Sequence, residues 1–217
     1  MTVLFEDAHI IVCLKPAGIL SQGDDKGREN MISILGGNVF PVHRLDRETA
    51  GIMVFAKTAE SAAAMSILVQ SHENFRKEYL AVLEGVLTKR EDVFEDLLYH
   101  DALKNKSYVV NKKRRGVKSA KLSYETQNVT QTEEGKMYAL VRVKLYTGRT
   151  HQIRVQFASR HVPLAGDRKY GASADFKALA LFACALSFPH PITGETLSFE
   201  VFPKKEGAFG LFETYNG

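Results

Sequence analysis

Cysteine is nearly absent from this sequence. Its 217 residues hold only Cys13 and Cys184, far apart, without CxxC spacing, each inside an apolar run (IIVCLKP and LALFACALSF). That count and spacing exclude a disulfide framework and a thiolate metal centre, leaving two small buried side chains and a reducing compartment. Long apolar stretches are also missing. None approaches the roughly 20 residues that span a bilayer, and the opening MTVLFEDAHIIVCLKP is broken by Glu6, Asp7 and His9, so it does not read as a signal peptide. No repeat, low-complexity tract or Pro/Gly/Ser-rich linker divides the chain. The expectation is a cytoplasmic protein, free of membrane, folded as one domain over residues 1–217 with room for two lobes sharing a sheet.

With 45% apolar and 25% charged residues, the composition is that of a folded domain and argues against extensive disorder. A formal charge of +4 and a pI near 9.0 suit a polyanionic partner without demanding one.

Local patterning predicts more strand than helix. Val3 to Leu14 reads as a strand pair broken at Glu6–His9, followed by a bend at Lys15-Pro16-Ala17-Gly18 and a polar surface loop from Gly23 to Asn30. Gly51 to Ala56 has buried-strand length, and Thr58 to His72 is an alanine-rich helix with Thr58 as its cap. Glu78 to Val86 returns to strand. A strongly basic connection follows, then strands at Ala120–Val129 and Met137–Tyr146, the second with a clear period of two. Thr150 is expected to cap a helix from His151 to Ser159. The apolar run Ala178–Phe188, the turn FPHPITGE and a last strand Leu197–Phe202 close the chain.

Two clusters carry reactive groups. His43-Arg44-Leu45-Asp46 lies between Val39–Val42 and the apolar strand after it, where ionisable groups are costly unless paired or useful. One reading is a capped loop with Asp46 on backbone donors; the other is a catalytic carboxylate. The second cluster, Thr147-Gly148-Arg149-Thr150-His151-Gln152-Ile153-Arg154, sets cations at a helix start that is already electropositive. They need an anion nearby, either phosphate or a carboxylate such as Asp46. His43 and His151 read as packing or hydrogen-bonding residues before proton carriers.

HRLDRETAGIMVFAKT, KEYLAVLEG and TGRTHQIRVQFASRHVPLAGDRKYG, in that order, resemble the signature blocks of the RluA-type pseudouridine synthases. The opening EDAHIIVCLKPAGILSQ and the closing LALFACALSFPHPITGETLSF fit the same pattern. Thr49-Ala50-Gly51 stands where the family usually has Thr-Ser-Gly, a change that loses one hydroxyl. The pattern begins within the first few residues, so a lone catalytic domain without an S4-like RNA-binding module is expected, with a monomer as default.

The resemblance implies an α+β fold: a largely antiparallel mixed sheet with flanking helices, in two lobes around a catalytic cleft. It implies isomerisation of uridine to pseudouridine in ribosomal or transfer RNA, with no cofactor or metal. An inactive RNA-binding protein of the same fold is the alternative. Asp46 corresponds to the essential carboxylate, acting as nucleophile or base. Tyr79 corresponds to the tyrosine against the target base, although alone it would read as a packed strand residue. Arg154 corresponds to the arginine paired with the carboxylate; burial disfavours an ionised aspartate, and a guanidinium opposes that effect. RNA contacts are expected from His43, Arg44, Arg149 and the exposed-looking run Lys112, Lys113, Arg114 and Arg115, which otherwise would be a solvated loop.

Overall fold

A computed structural model describes residues 1–71, 74–173 and 175–213. In chain order it contains β1 (Val3–Glu6), β2 (Ile10–Lys15), α1 (Met31–Ile34), β3 (Phe40–Pro41), β4 (Ala50–Ala56) and α2 (Ala59–Ser71). There follow β5 (Arg76–Glu84), β6 (Glu91–Asp101), β7 (Lys106–Val110), β8 (Val117–Gln131), β9 (Met137–Leu145) and α3 (Gln152–Ala158). The last two strands are β10 (Leu181–Pro189) and β11 (Thr196–Glu200). The chain divides into two units: Met1–Lys77 with Phe182–Val201, and Glu78–Leu181 with the residues from Phe202 on. Strand dominates, pairing is largely antiparallel, and no described helix is long and apolar enough to cross a membrane.

In the first unit β4 is the organising strand. It pairs antiparallel with β2 along its length, from Ile10 opposite Ala56 to Lys15 opposite Gly51, and runs parallel to the start of β10. Residues Gly51 to Ala56 are all buried, which is why this segment reads as a continuous apolar run and not as an alternation. Ile52 and Val54 join Ile10, Val12, Phe75, Leu186 and Phe188 in one core cluster. Helix α2 covers that cluster with Met65, Leu68 and Val69. Its cap is as expected: Thr58 Oγ1 accepts from the Ser61 N–H at 3.1 Å. The expected end at His72 lies outside the described residues. Cys13 and Cys184 are both fully buried, and burial pushes the Cys13 thiol up to about 12.

The second unit is a sheet in the order β5-β9-β8-β6-β7. Strand pairing here replaces the basic connection expected after β5. The basic stretch after β5 is not a simple connection, because β6, β7 and the first residues of β8 pair in continuous antiparallel register. In β6 only Phe94 and Leu98 are buried, so the strand's inward face is marked by two residues among many charges. Those charges find partners across strands, as with Glu95 and Lys121 at 2.6 Å. A period of two thus hides behind acid on one strand and base on the next.

Gly51 shows how tightly β4 meets β10. Its φ is +127°, and a Cβ there would fall 2.3 Å from the Ala183 carbonyl oxygen. Gly51→Ala is therefore expected to lower unfolding free energy by about 2–4 kcal/mol, measured by urea denaturation; a loss below the precision of such curves would refute this contact.

Candidate active site

Asp46 sits half-buried in the turn that leads into β4, and its carbonyl accepts the Thr49 N–H at 3.1 Å. The residue before it, Leu45, is clamped on both sides by one buried serine. Ser21 Oγ accepts from the Leu45 N–H at 3.0 Å and donates to the Leu45 carbonyl at 2.9 Å. Beneath the turn lies Lys15, with only 1% of its surface exposed. Its Nζ donates to the carbonyls of Pro16, Ile19 and Arg47 at 2.9, 2.7 and 3.0 Å. Burial pulls the Lys15 ammonium down to about 8, and the charges of Glu48 and Asp46 act against that pull. The Asp46 turn is thus pinned by a cation and a hydroxyl from the segment Lys15–Ser21. Neither was singled out in the sequence, where the only signal was a lysine ending an otherwise apolar strand.

His43 and Arg44 point to different duties. His43 Nε2 accepts the Val54 N–H at 3.2 Å, so the ring's proton belongs on Nδ1, which is buried without a partner among the described residues. The ring packs edge-on against Phe75, 5.4 Å between centroids. Burial, helped by the nearby Lys77 charge, pushes His43 down to about 3. A neutral imidazole offers phosphate no charge, and these surroundings support the packing reading for this residue. Arg44 is exposed one residue before the clamped Leu45.

In the second unit the expected helix start is corrected. The N-cap of α3 is His151, in a left-handed conformation with φ 55° and no side-chain cap bond; Thr150 lies outside it. The cause is the ring of His151, which is buried and reaches the Tyr170 hydroxyl with Nδ1 at 3.0 Å. Gln152 replaces a cap: its Oε1 accepts from Thr147 Oγ1 at 2.8 Å and from the Arg149 N–H at 3.0 Å. Arg149 itself is tied to β8, Nε donating to the Ser119 carbonyl at 2.9 Å.

Arg154 projects from α3 into a buried polar cluster. Asp167 receives its Nε at 2.7 Å and its Nη2 at 2.8 Å. The two side chains are 8% and 1% exposed. The guanidinium also lies 5.2 Å from the centre of the Tyr170 ring. The Tyr170 hydroxyl accepts the Ser107 N–H of edge strand β7 at 2.8 Å, and burial raises its pKa above the ordinary phenol value. A helix start rich in cations does have an anion, and Asp167 is one that the sequence reading passed over. Its signal was an aspartate directly after the apolar PLAG. Tyr79 is 6% exposed in β5. Lys112, Lys113, Arg114 and Arg115 are exposed in the turn between β7 and β8.

The family model described as RNA pseudouridylate synthase matches residues 9–159. An RNA pseudouridine synthase of Bacillus subtilis, YhcT, is 32% identical over 217 aligned residues, covering 94% of this chain and 69% of the relative. Ribosomal large subunit pseudouridine synthase C of Salmonella typhimurium is 34% identical, covering 91% of this chain and 65% of its own length. This chain thus spans about two-thirds of those relatives. Among solved structures, human RNA pseudouridylate synthase domain containing 4 superimposes with a TM-score of 0.74 at 22% identity, covering 94% of this chain and 89% of that one. The related domain containing 1 gives 0.79 at 17% identity, over 94% and 84%. These two likenesses speak for the fold.

Two measurements test the site's internal forces. Asp167→Asn removes the charge that Arg154 grips, and is expected to cost roughly 3 kcal/mol in urea melts; a neutral outcome would mean the pair is not a structural anchor. For His43, the unfolded imidazole titrates near 6.5 and the folded one near 3, so the fold favours the neutral ring. Its stabilisation is complete above about pH 6.5 and is lost as pH falls towards 3, approaching about 1.4 kcal/mol per pH unit. The His43→Gln variant should lose stability less steeply than the wild type between pH 6 and 4. Parallel curves would show that position 43 does not titrate in this way.

Proposed function

The chain belongs to the RNA pseudouridylate synthase family, and from that premise we propose that it isomerises selected uridines of ribosomal or transfer RNA to pseudouridine, with Asp46 as the catalytic carboxylate. Residues 1–217 act as one catalytic domain, as a monomer in the cytoplasm. The observation that carries this reading is the setting of Asp46: a half-buried carboxylate on a turn held from below by Ser21 and Lys15. A turn that only joined two strands would not need a buried cation and a two-way hydroxyl clamp.

The reaction breaks the N1–C1′ bond, rotates the uracil, joins C5 to C1′ and removes the C5 proton. Asp46 attacks C1′ or takes a proton at C2′; both roles need an ionised oxygen. Arg154, whose guanidinium is oriented by Asp167 and Tyr170, is the partner that keeps that oxygen charged. Tyr79 supplies a ring face for the base and a hydroxyl for the C5 proton. The target base cannot react while stacked and is turned out of its helix or taken from a loop. Arg44, exposed beside the turn, fills the vacated stack. Arg149 and the run from Lys112 to Arg115 grip phosphates.

RNA carrying tritium at C5 of uridine separates this reading from its rivals. An isomerase releases tritium with strands intact, a nuclease shortens the strands, and an inactive RNA-binding protein does neither. Asp46→Asn is expected to slow tritium release by roughly a thousandfold or more; retained activity would remove Asp46 from the chemistry. Arg44→Ala should slow the reaction on a structured stem-loop and spare an unstructured oligonucleotide. Equal effects on both would exclude a role in base extrusion.

A further inference from the structure

The outward face of the second unit's sheet has two chemically different ends. In β6 the inward residues are Phe94 and Leu98, so the odd-numbered positions face out. Tyr99 stands opposite Tyr108 of β7 and Val117 of β8, and Leu97 stands opposite Val110. Directly opposed residues share a face, which makes a row of two tyrosines and a valine, with Val110, Leu97 and Ser119 in the row beside it. The far end of this face carries charges of both signs, a cavity lined by Glu78, Glu91, Glu125, Arg142 and Lys144 among others, with Glu78 paired to Arg142 at 2.6 Å. The end at β7 is basic.

The basic end joins flat rings to cations. Tyr108 on the edge strand keeps 36% of its surface exposed. Lys106 Nζ lies 5.9 Å from the centre of the Tyr108 ring, and the Arg114 guanidinium 5.1 Å from that of Tyr99. Elsewhere on the same face charge is neutralised, as where Lys121 meets Glu95 at 2.6 Å. By contrast Lys112, Lys113, Arg114 and Arg115 meet no carboxylate among the described residues. Strand β7 ends the sheet order, so its outward side chains have no further strand beside them.

We propose that this corner is a stacking platform for single-stranded RNA flanking the target uridine. Tyr99 and Tyr108 hold bases, while Lys106 and the turn from Lys112 to Arg115 hold phosphates. Bases present their faces to protein rings only where they are unpaired and splayed, and paired aromatic residues on neighbouring strands with a basic rim answer that chemistry. At the other end cations and carboxylates pair with each other, as Arg142 does with Glu78, so the surplus of positive charge that attracts a polyanion lies at the β7 end. This inference rests on the proposal that RNA is the substrate, and adds where the strand lies.

The test is equilibrium binding of the full chain to a labelled mixed-sequence single-stranded RNA and to a blunt RNA duplex, across a range of salt. Tyr99→Leu with Tyr108→Leu is expected to weaken single-strand binding by about tenfold at every salt concentration, without changing the slope of log affinity against log salt. Tyr108→Phe should bind as the wild type does. Lys112→Gln with Lys113→Gln should instead reduce that slope by about 1.4, the share of two phosphate contacts on a single strand. Tyr108→Leu alone, at an exposed edge position, replaces the double variant if the latter melts early. Unchanged single-strand binding in the leucine variants, an equal loss on the duplex, or a loss in Tyr108→Phe would each overturn the platform, even if the surface bound an acidic protein. Tritium release keeps the two proposals apart. A wild-type protein that binds RNA as described but releases no tritium defeats the isomerase reading alone. An active protein whose leucine variants bind normally defeats the platform alone. In an active protein, the leucine variants should raise KM and leave kcat in place.

Discussion

A guanidinium and a carboxylate shut away from water hold the second unit's site together. Taking both Arg154 and Asp167 out of solvent is costly, and only good geometry and further hydrogen bonds repay that cost. The geometry is a two-point contact, with the guanidinium 5.2 Å from the centre of the Tyr170 ring. Tyr170 in turn satisfies the Ser107 N–H of an edge strand and holds the His151 ring. The left-handed backbone at His151 follows from that last contact, and with it the point at which α3 begins. One buried ion pair thereby sets the direction of a side chain, the start of a helix and the covering of a sheet edge.

The Asp46 turn obeys the same logic with different groups. A loop residue that must hold a charge in one place cannot rely on the loop's own backbone, because short turns have few internal bonds to resist motion. Lys15 and Ser21 supply the resistance from a segment remote in sequence, binding carbonyls and N–H groups on the underside of the turn. Gly51 extends the constraint, since only a residue without Cβ lets β4 approach the Ala183 backbone closely enough to anchor the turn's far end. Function on a loop positioned by rigid strands is a common arrangement. Here the rigidity comes from a buried amine that the fold keeps supplied with three carbonyl oxygens.

Much of the fold was legible along the chain. The β1–β2 pair, the buried β4, the Thr58 cap, β9 and the closing β10 and β11 follow local rules of burial period, turn residues and capping. Where the reading failed, a distant partner had overruled the local signal. Strands β6 and β7 looked like a charged connection because their charges are balanced on neighbouring strands. Thr150 looked like a cap because nothing nearby announced that His151 would turn towards Tyr170, 19 residues on.

By itself the sequence determined the order of the reactive blocks, the residue types within them and the excess of strand over helix, with the period of two in β9. These depend on neighbours a few positions away. Tertiary structure alone decided that Asp167 clamps Arg154, that Lys15 and Ser21 lie under Asp46, and that Tyr99 and Tyr108 share a row with cations beside them. Each of those depends on the free energy of burying a charge or aligning two strands, and such energies exist only once segments far apart in the chain have met.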